Sequence, residues 1–114
     1  MNEDEQRITA AVRDYFEGWF DGDVARMDRA LHADLVKRRA GNELGVTTKQ
    51  RMLELTSQHA GADDGRDRTL DIQVHDVYDD IATVTVRSAV YYEYVQLVRT
   101  DEGWKAANTL WQFR

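Results

Sequence analysis

The 114 residues fit one domain spanning 1–114, long enough to hold a hydrophobic core without disulfide or metal staples. A formal net charge of -6 disfavours nucleic acid as a partner, because such binding rests on Lys and Arg neutralising phosphates. The lack of any cysteine removes disulfides, thiolate metal sites and cysteine nucleophiles, and it suits a reducing cytoplasm.

Residues 1–5 are acidic and lead into no continuous apolar run, which predicts neither a signal peptide nor a membrane span and points to a cytoplasmic protein. Proline is absent. Either Gly, Asp and Asn make every turn, or the sequence has been altered from a natural parent.

Ile8, Ala11, Val12, Tyr15, Phe16, Trp19 and Phe20 recur at the three- and four-residue spacing of one helical face. Asn2 with Glu5 forms a capping pair, and Glu3, Asp4 and Glu5 put negative charge at the positive end of the helix dipole. Gly18 costs about 1 kcal/mol relative to Ala inside a helix, which predicts a close approach beside it. Gly22 then stops the helix. Asp23 caps a second, short helix with Val24, Met27, Ala30 and Leu31 inward and Arg26, Asp28 and Arg29 toward solvent, ending near His32. Residues 34–39 read as a first strand, followed by a turn at Gly41, Asn42 and Glu43. Thr47 with Gln50 introduces a third helix that buries Met52, Leu53 and Leu55 and ends at Gly61.

Residues 61–68 are rich in Gly and charge, which predicts a solvated, mobile loop. Beyond it the period falls to two. Leu70, Ile72 and Val74 alternate with polar residues, as do Ala82, Val84 and Val86, which is how half-buried antiparallel strands are written. Asp79-Asp80 joins these strands. Residues 81–99 are too long for one flat strand, so a bulge or bend is expected. A turn at Asp101, Glu102 and Gly103 leads into a last strand over residues 104–113. Helices first and an antiparallel meander afterwards make an α+β fold with helices on one sheet face.

Several local motifs together resemble the nuclear transport factor 2-like superfamily, and within it the group of putative lumazine-binding proteins. They are Gly18-Trp19 with Gly22-Asp23, then Arg26-Met27, Leu31-His32-Ala33-Asp34-Leu35 and Lys37-Arg38. Later ones are Glu93-Tyr94 with Leu97, Gly103-Trp104, and Asn108-Thr109-Leu110-Trp111. The likeness covers nearly the whole chain and implies a cystatin-like cone, three amino-terminal helices on a curved antiparallel sheet. Ala33 stands where the group usually has proline, and the segment between Arg39 and Thr47 is short. The resemblance implies a pocket but names no reaction.

His32 and Asp34 sit where the second helix meets the sheet. They are either a general base with its orienting partner or a helix-end and turn pair satisfying backbone groups. Uninterrupted alternation from Ala82 sends Tyr92, Tyr94 and Gln96 into the cone, whereas one bulge reverses the register. There the phenols could hold an oxyanion or stack on a ligand, or they are ordinary strand residues. If Lys105 faces solvent, Trp104, Ala106, Asn108 and Leu110 face the helices, making Asn108 a polar anchor or a structural amide. Trp111 and Phe113 then fall on the outer face, where a two-fold dimer would cover them. His32, His59 and His75 lack metal-ligand spacing, and no cofactor motif is present. Lys37, Arg38 and Arg39 could clamp an anion or form a solvated edge.

The expectation is a pocket for a small apolar or aromatic molecule between Tyr15, Trp19, Tyr92, Tyr94 and Asn108. If catalytic, it would be a cofactor-free isomerase, dehydratase or cyclase with Asp34 or His32 carrying the proton. The alternative is a non-catalytic dimeric module with a filled pocket.

Overall fold

A computed structural model describes residues 2–114; Met1, the first of the acidic stretch, lies outside them. Helix α1 (Glu3–Asp21) starts at Asn2, whose side chain accepts from the Glu5 amide at 2.8 Å, and stops at Gly22 with φ of +64°. Its face carries Ile8, Val12, Tyr15, Phe16 and Phe20 into the core. Each such burial stabilises by about 1.5–3 kcal/mol. Helix α2 (Val24–Ala30) is capped by Asp23, and its first turn lies against Gly18, where a Cβ would stand 3.1 Å from the Met27 amide nitrogen. The close approach predicted from Gly18 is therefore the α1–α2 crossing.

Details of all but the first helix differ from the pattern. Val24 is exposed, and Arg26 is half-buried, bonded to Asp14 at 2.9 Å and Glu17 at 2.8 Å across the crossing. Helix α3 (Lys49–Ser57) is capped one residue later than the Thr47–Gln50 pattern implied, by Thr48, and ends before Gly61.

The sheet contains β1 (Leu31–Arg39), β2 (Val46–Thr47), β3 (Asp71–Tyr78), β4 (Ile81–Arg87), β5 (Tyr91–Thr100) and β6 (Gly103–Phe113), in the order β2-β1-β6-β5-β4-β3. All neighbours are antiparallel except β1 and β6, so the sheet is mixed. The chain reaches β1 from the helices and β6 from the meander, which brings two strands of the same direction side by side, next to the short edge strand β2.

Two irregularities decide what faces inward. Residues 81–99 do not form one bent strand: Ser88, Ala89 and Val90 make a hairpin turn, with Ser88 Oγ accepting from the amides of Val90 and Tyr91 at 3.2 and 2.9 Å. Val86 consequently pairs with Glu93, Val84 with Val95, and Ala82 with Leu97. Odd-numbered residues of β5 point inward. In β6, the register shifts between Ala106 and Asn108, leaving Ala107 as an extra residue opposite Gln96 and Leu97. Trp104 and Ala106 face the core before this bulge, and Thr109 after it.

No helix among the described residues is long and apolar enough to cross a membrane. Replacing Gly22 by Ala should lower stability by about 1–2 kcal/mol in chemical denaturation, since a Cβ there forces a left-handed conformation on an L residue.

Candidate functional site

Inside the cone lies a cavity of about 190 Å³, lined by Tyr15, Phe16, Trp19, Lys37, Thr47, Met52, Leu55, Tyr91, Glu93 and Trp111. Its walls are mostly apolar and aromatic. Its polar end is a cluster drawn from three elements: Tyr15 on α1, Lys37 on β1 and Glu93 on β5, only 3%, 8% and 2% exposed. The Tyr15 hydroxyl donates to Glu93 Oε2 at 2.6 Å. Lys37 Nζ donates to Glu93 Oε2 at 3.2 Å and also to the Tyr15 hydroxyl oxygen. The Lys37 ammonium also lies 5.0 Å from the Tyr15 ring centroid and 5.2 Å from that of Trp111, which leaves it cushioned by π faces.

The electrostatics follow from this burial. Desolvation, reinforced by the Glu93 carboxylate, holds the Tyr15 phenol well above its ordinary value of about 10. Burial pulls the Lys37 ammonium down, against the opposing pull of Glu93. The Thr109 hydroxyl is buried beside the cluster and makes no hydrogen bond of normal geometry. A buried pair such as Lys37–Glu93 contributes little net stability, but removing one partner strands the other charge.

A second polar group holds two of the wall residues from behind. Residues 61–68 are not a free loop: a 3-10 turn at Asp63–Arg66 carries Asp64, which accepts from Trp19 Nε1 at 3.0 Å and from the Tyr91 hydroxyl. Burial, followed by the bond to Asp64, raises the Tyr91 phenol above its ordinary value. Gly61 lies so close to Trp19 that a Cβ would stand 2.5 Å from its ring and carbonyl oxygen. Asp64 was invisible in the sequence because it sits in a run of charges without periodicity.

Only part of the expected site converges here. Tyr15 and Trp19 line the cavity, but Tyr92 and Tyr94 do not: the hairpin at Ser88–Val90 reverses their parity, and Tyr94 is 54% exposed on the outer face. Tyr91 and Glu93 take their place. The bulge at Ala107 turns Asn108 outward, where its amide meets Gln96 at 3.4 Å. By the same shift Trp111 and Phe113 are not on the outer face. Trp111 walls the cavity, and Phe113 stacks on Tyr91 at a centroid distance of 5.7 Å.

His32 and Asp34 are also outside the cavity. Their strand begins three residues earlier than expected, at Leu31, and is irregular between Leu31 and Val36. The Asp34 amide donates to His32 Nδ1 at 3.0 Å while the Asp34 side chain is 94% exposed, so the pair has the geometry of a turn. Lys37 leaves the basic run to enter the cone, whereas Arg39 covers the rings of Trp111 and Phe113. With the strand registers fixed, Lys37 shares the buried face of β1 with Leu35, and Glu93 shares that of β5 with Val95 and Leu97.

The family model described as putative lumazine-binding matches residues 3–112. This chain belongs to that family. Curated proteins give no match. Among solved structures, an NTF-2 like protein of unknown function from Silicibacter pomeroyi is 15% identical, with a TM-score of 0.75 and 100% of both chains covered. An NTF2-like protein from Cytophaga hutchinsonii is 16% identical, with a TM-score of 0.71 over 100% of both chains. A ketosteroid isomerase-like protein from Erwinia carotovora atroseptica is 19% identical, with a TM-score of 0.64, covering 99% of this chain and 98% of that one. At such identities the likeness establishes the nuclear transport factor 2-like fold, and the site of this member of the putative lumazine-binding family stands on its own geometry.

Lys37→Met should lower stability by about 3–5 kcal/mol at neutral pH by leaving Glu93 buried without its cation, and adding Glu93→Leu should restore most of that loss. The phenols give a second test. Above pH 10 the unfolded chain loses tyrosine protons that folded Tyr15 and Tyr91 retain, so these two groups make stability fall as pH rises. Ultraviolet titration should therefore show fewer than the five tyrosines ionising before the fold is lost, with Tyr15→Phe softening the alkaline decline.

Proposed function

We propose that this protein binds a small, largely planar aromatic molecule inside the cone, with the ligand's polar edge against Tyr15, Lys37 and Glu93. The observation that carries this reading is a hollow with three convergent polar groups at one end and aromatic walls on its sides. A core designed only for stability has little use for a lysine and a glutamate at such depth. Size narrows the class. A dry cavity of about 150 Å³ accepts benzene, so about 190 Å³ suits one or two rings and is too small for a four-ring steroid. The family description names lumazine, a planar heteroaromatic molecule, and the class proposed here is wider than that one compound.

The same cluster supports cofactor-free proton transfer, with Glu93 as the acceptor and Tyr15 as the group that passes or steadies the proton. These residues replace His32 and Asp34 as the proton carriers. A second reading concerns assembly. Tyr94 and Leu110 are cross-strand partners on the outer face, both exposed, bordering a concavity of about 650 Å³ that also takes in Val36 and Asn108. This face, rather than Trp111 and Phe113, is where we place a two-fold contact with a second copy.

Native mass spectrometry of freshly purified protein reads ligand and subunit number together. The expected spectrum shows a retained small molecule, or, after stripping, binding of benzyl alcohol that also quenches Trp19 and Trp111 fluorescence. A protein that retains nothing and binds none of a set of one- and two-ring aromatics would contradict the pocket reading. Strict monomers at high micromolar concentration would contradict the two-fold contact.

A further inference from the structure

We propose that Lys37 is a carbonyl-capturing amine, which forms a Schiff base with an aromatic aldehyde or ketone seated in the cavity. This narrows the ligand class and rests on the pocket reading given above. Three features of the structure support it. Lys37 lines the hollow but is only 8% exposed to bulk water, which favours condensation over hydrolysis. A carboxylate at 3.2 Å and a phenol in direct hydrogen-bond contact adjoin the nitrogen, so proton acceptor and donor stand at the reacting atom. Finally, the aromatic faces of Tyr15 and Trp111 flank the ammonium, a setting that also steadies the cationic iminium product.

The steps balance without any further reactant. The Lys37 ammonium passes one proton to Glu93, and the free amine adds its electron pair to the carbonyl carbon, moving the C=O π pair onto oxygen. The oxygen takes up a proton, and the nitrogen gives one up, through the Tyr15 and Glu93 groups. The resulting carbinolamine loses its hydroxyl as water when Glu93 returns the proton, leaving a C=N bond to Nζ. Burial pulls the lysine down from its ordinary value, which favours the first transfer. Once formed, the iminium is an electron sink for proton removal at the carbon next to it, so the reaction class that would follow is isomerisation or dehydration of an enolisable carbonyl compound.

The chain is well suited to a direct test, because it has only three lysines, Lys37, Lys49 and Lys105. Lys49 is bonded to the Leu31 carbonyl and paired with Asp28, and Lys105 is bonded to the Arg29 carbonyl; both lie nearer the surface than Lys37. Incubation of the intact protein with benzaldehyde and cyanoborohydride, followed by peptide mapping, reads which amine is benzylated. The expected result is labelling of Lys37 on the order of tenfold faster than of Lys49 or Lys105, despite its burial, as held reactants outrun free ones. Benzyl alcohol, which can fill the same space without reacting, should protect Lys37 alone. Glu93→Gln should slow the labelling of Lys37 and leave that of Lys49 and Lys105 unchanged.

Labelling that follows exposure, with Lys37 last, while benzyl alcohol still binds and quenches the tryptophans, would overturn the Schiff base and leave the pocket intact. Failure of both labelling and alcohol binding would overturn the pocket with it. Because the selectivity is read in the unsubstituted protein, an unfolded Glu93→Gln variant would not rescue the proposal.

Discussion

The architecture turns on a carboxylate that is almost wholly withdrawn from bulk water. Glu93 sits on the inward face of β5 and must find its compensation within the protein, since an isolated buried charge would cost many kcal/mol. Lys37 from β1 and Tyr15 from α1 supply it. Glu93 lies 56 and 78 residues from these partners, and one hydrogen-bonded knot ties the helical layer to the sheet. A site of this kind specifies geometry more than it adds stability, and the space left beside it is bordered by groups the fold has already desolvated.

Around that knot the cavity is closed by rings. Trp19 and Tyr91 are both held by Asp64, and Trp111 meets Tyr91 edge to face at 5.1 Å. The 3-10 turn at Asp63–Arg66 thus backs the wall, held to Trp19 and Tyr91 by the Asp64 carboxylate and packed closely on Trp19 and Phe20 at Gly61 and Gly65. A charged segment that looks solvated in sequence becomes structural because one of its carboxylates reaches two half-buried donors.

Much of the fold was legible because it is written locally. Asn2, Gly22, Asp23 and Gly103 mark the ends of elements through their own side chains or backbone freedom, and the change of period from helical to strand spacing separates the two layers. The site was less legible because it depends on parity. One hairpin turn at Ser88–Val90 and one bulge at Ala107 exchange the faces of β5 and the end of β6, so that Tyr92, Tyr94 and Asn108 leave the cavity while Tyr91, Glu93 and Trp111 enter it. Parity cannot be read from side-chain type when both faces carry tyrosines and polar residues. The burial of Lys37 was obscured for a different reason: in a run with Arg38 and Arg39 it looks like an edge device, and only its carboxylate partner, 56 residues away, explains its depth.

The Tyr15–Lys37–Glu93 knot is proposed to border a usable hollow rather than to serve as a filled structural brace. Crystals soaked in bromobenzene test this directly through the anomalous signal of bromine. The strongest peak is expected inside the cone, between Trp111, Tyr91 and Lys37. A peak confined to the outer sheet face near Tyr94, or none within the cone at saturating soak, would contradict it.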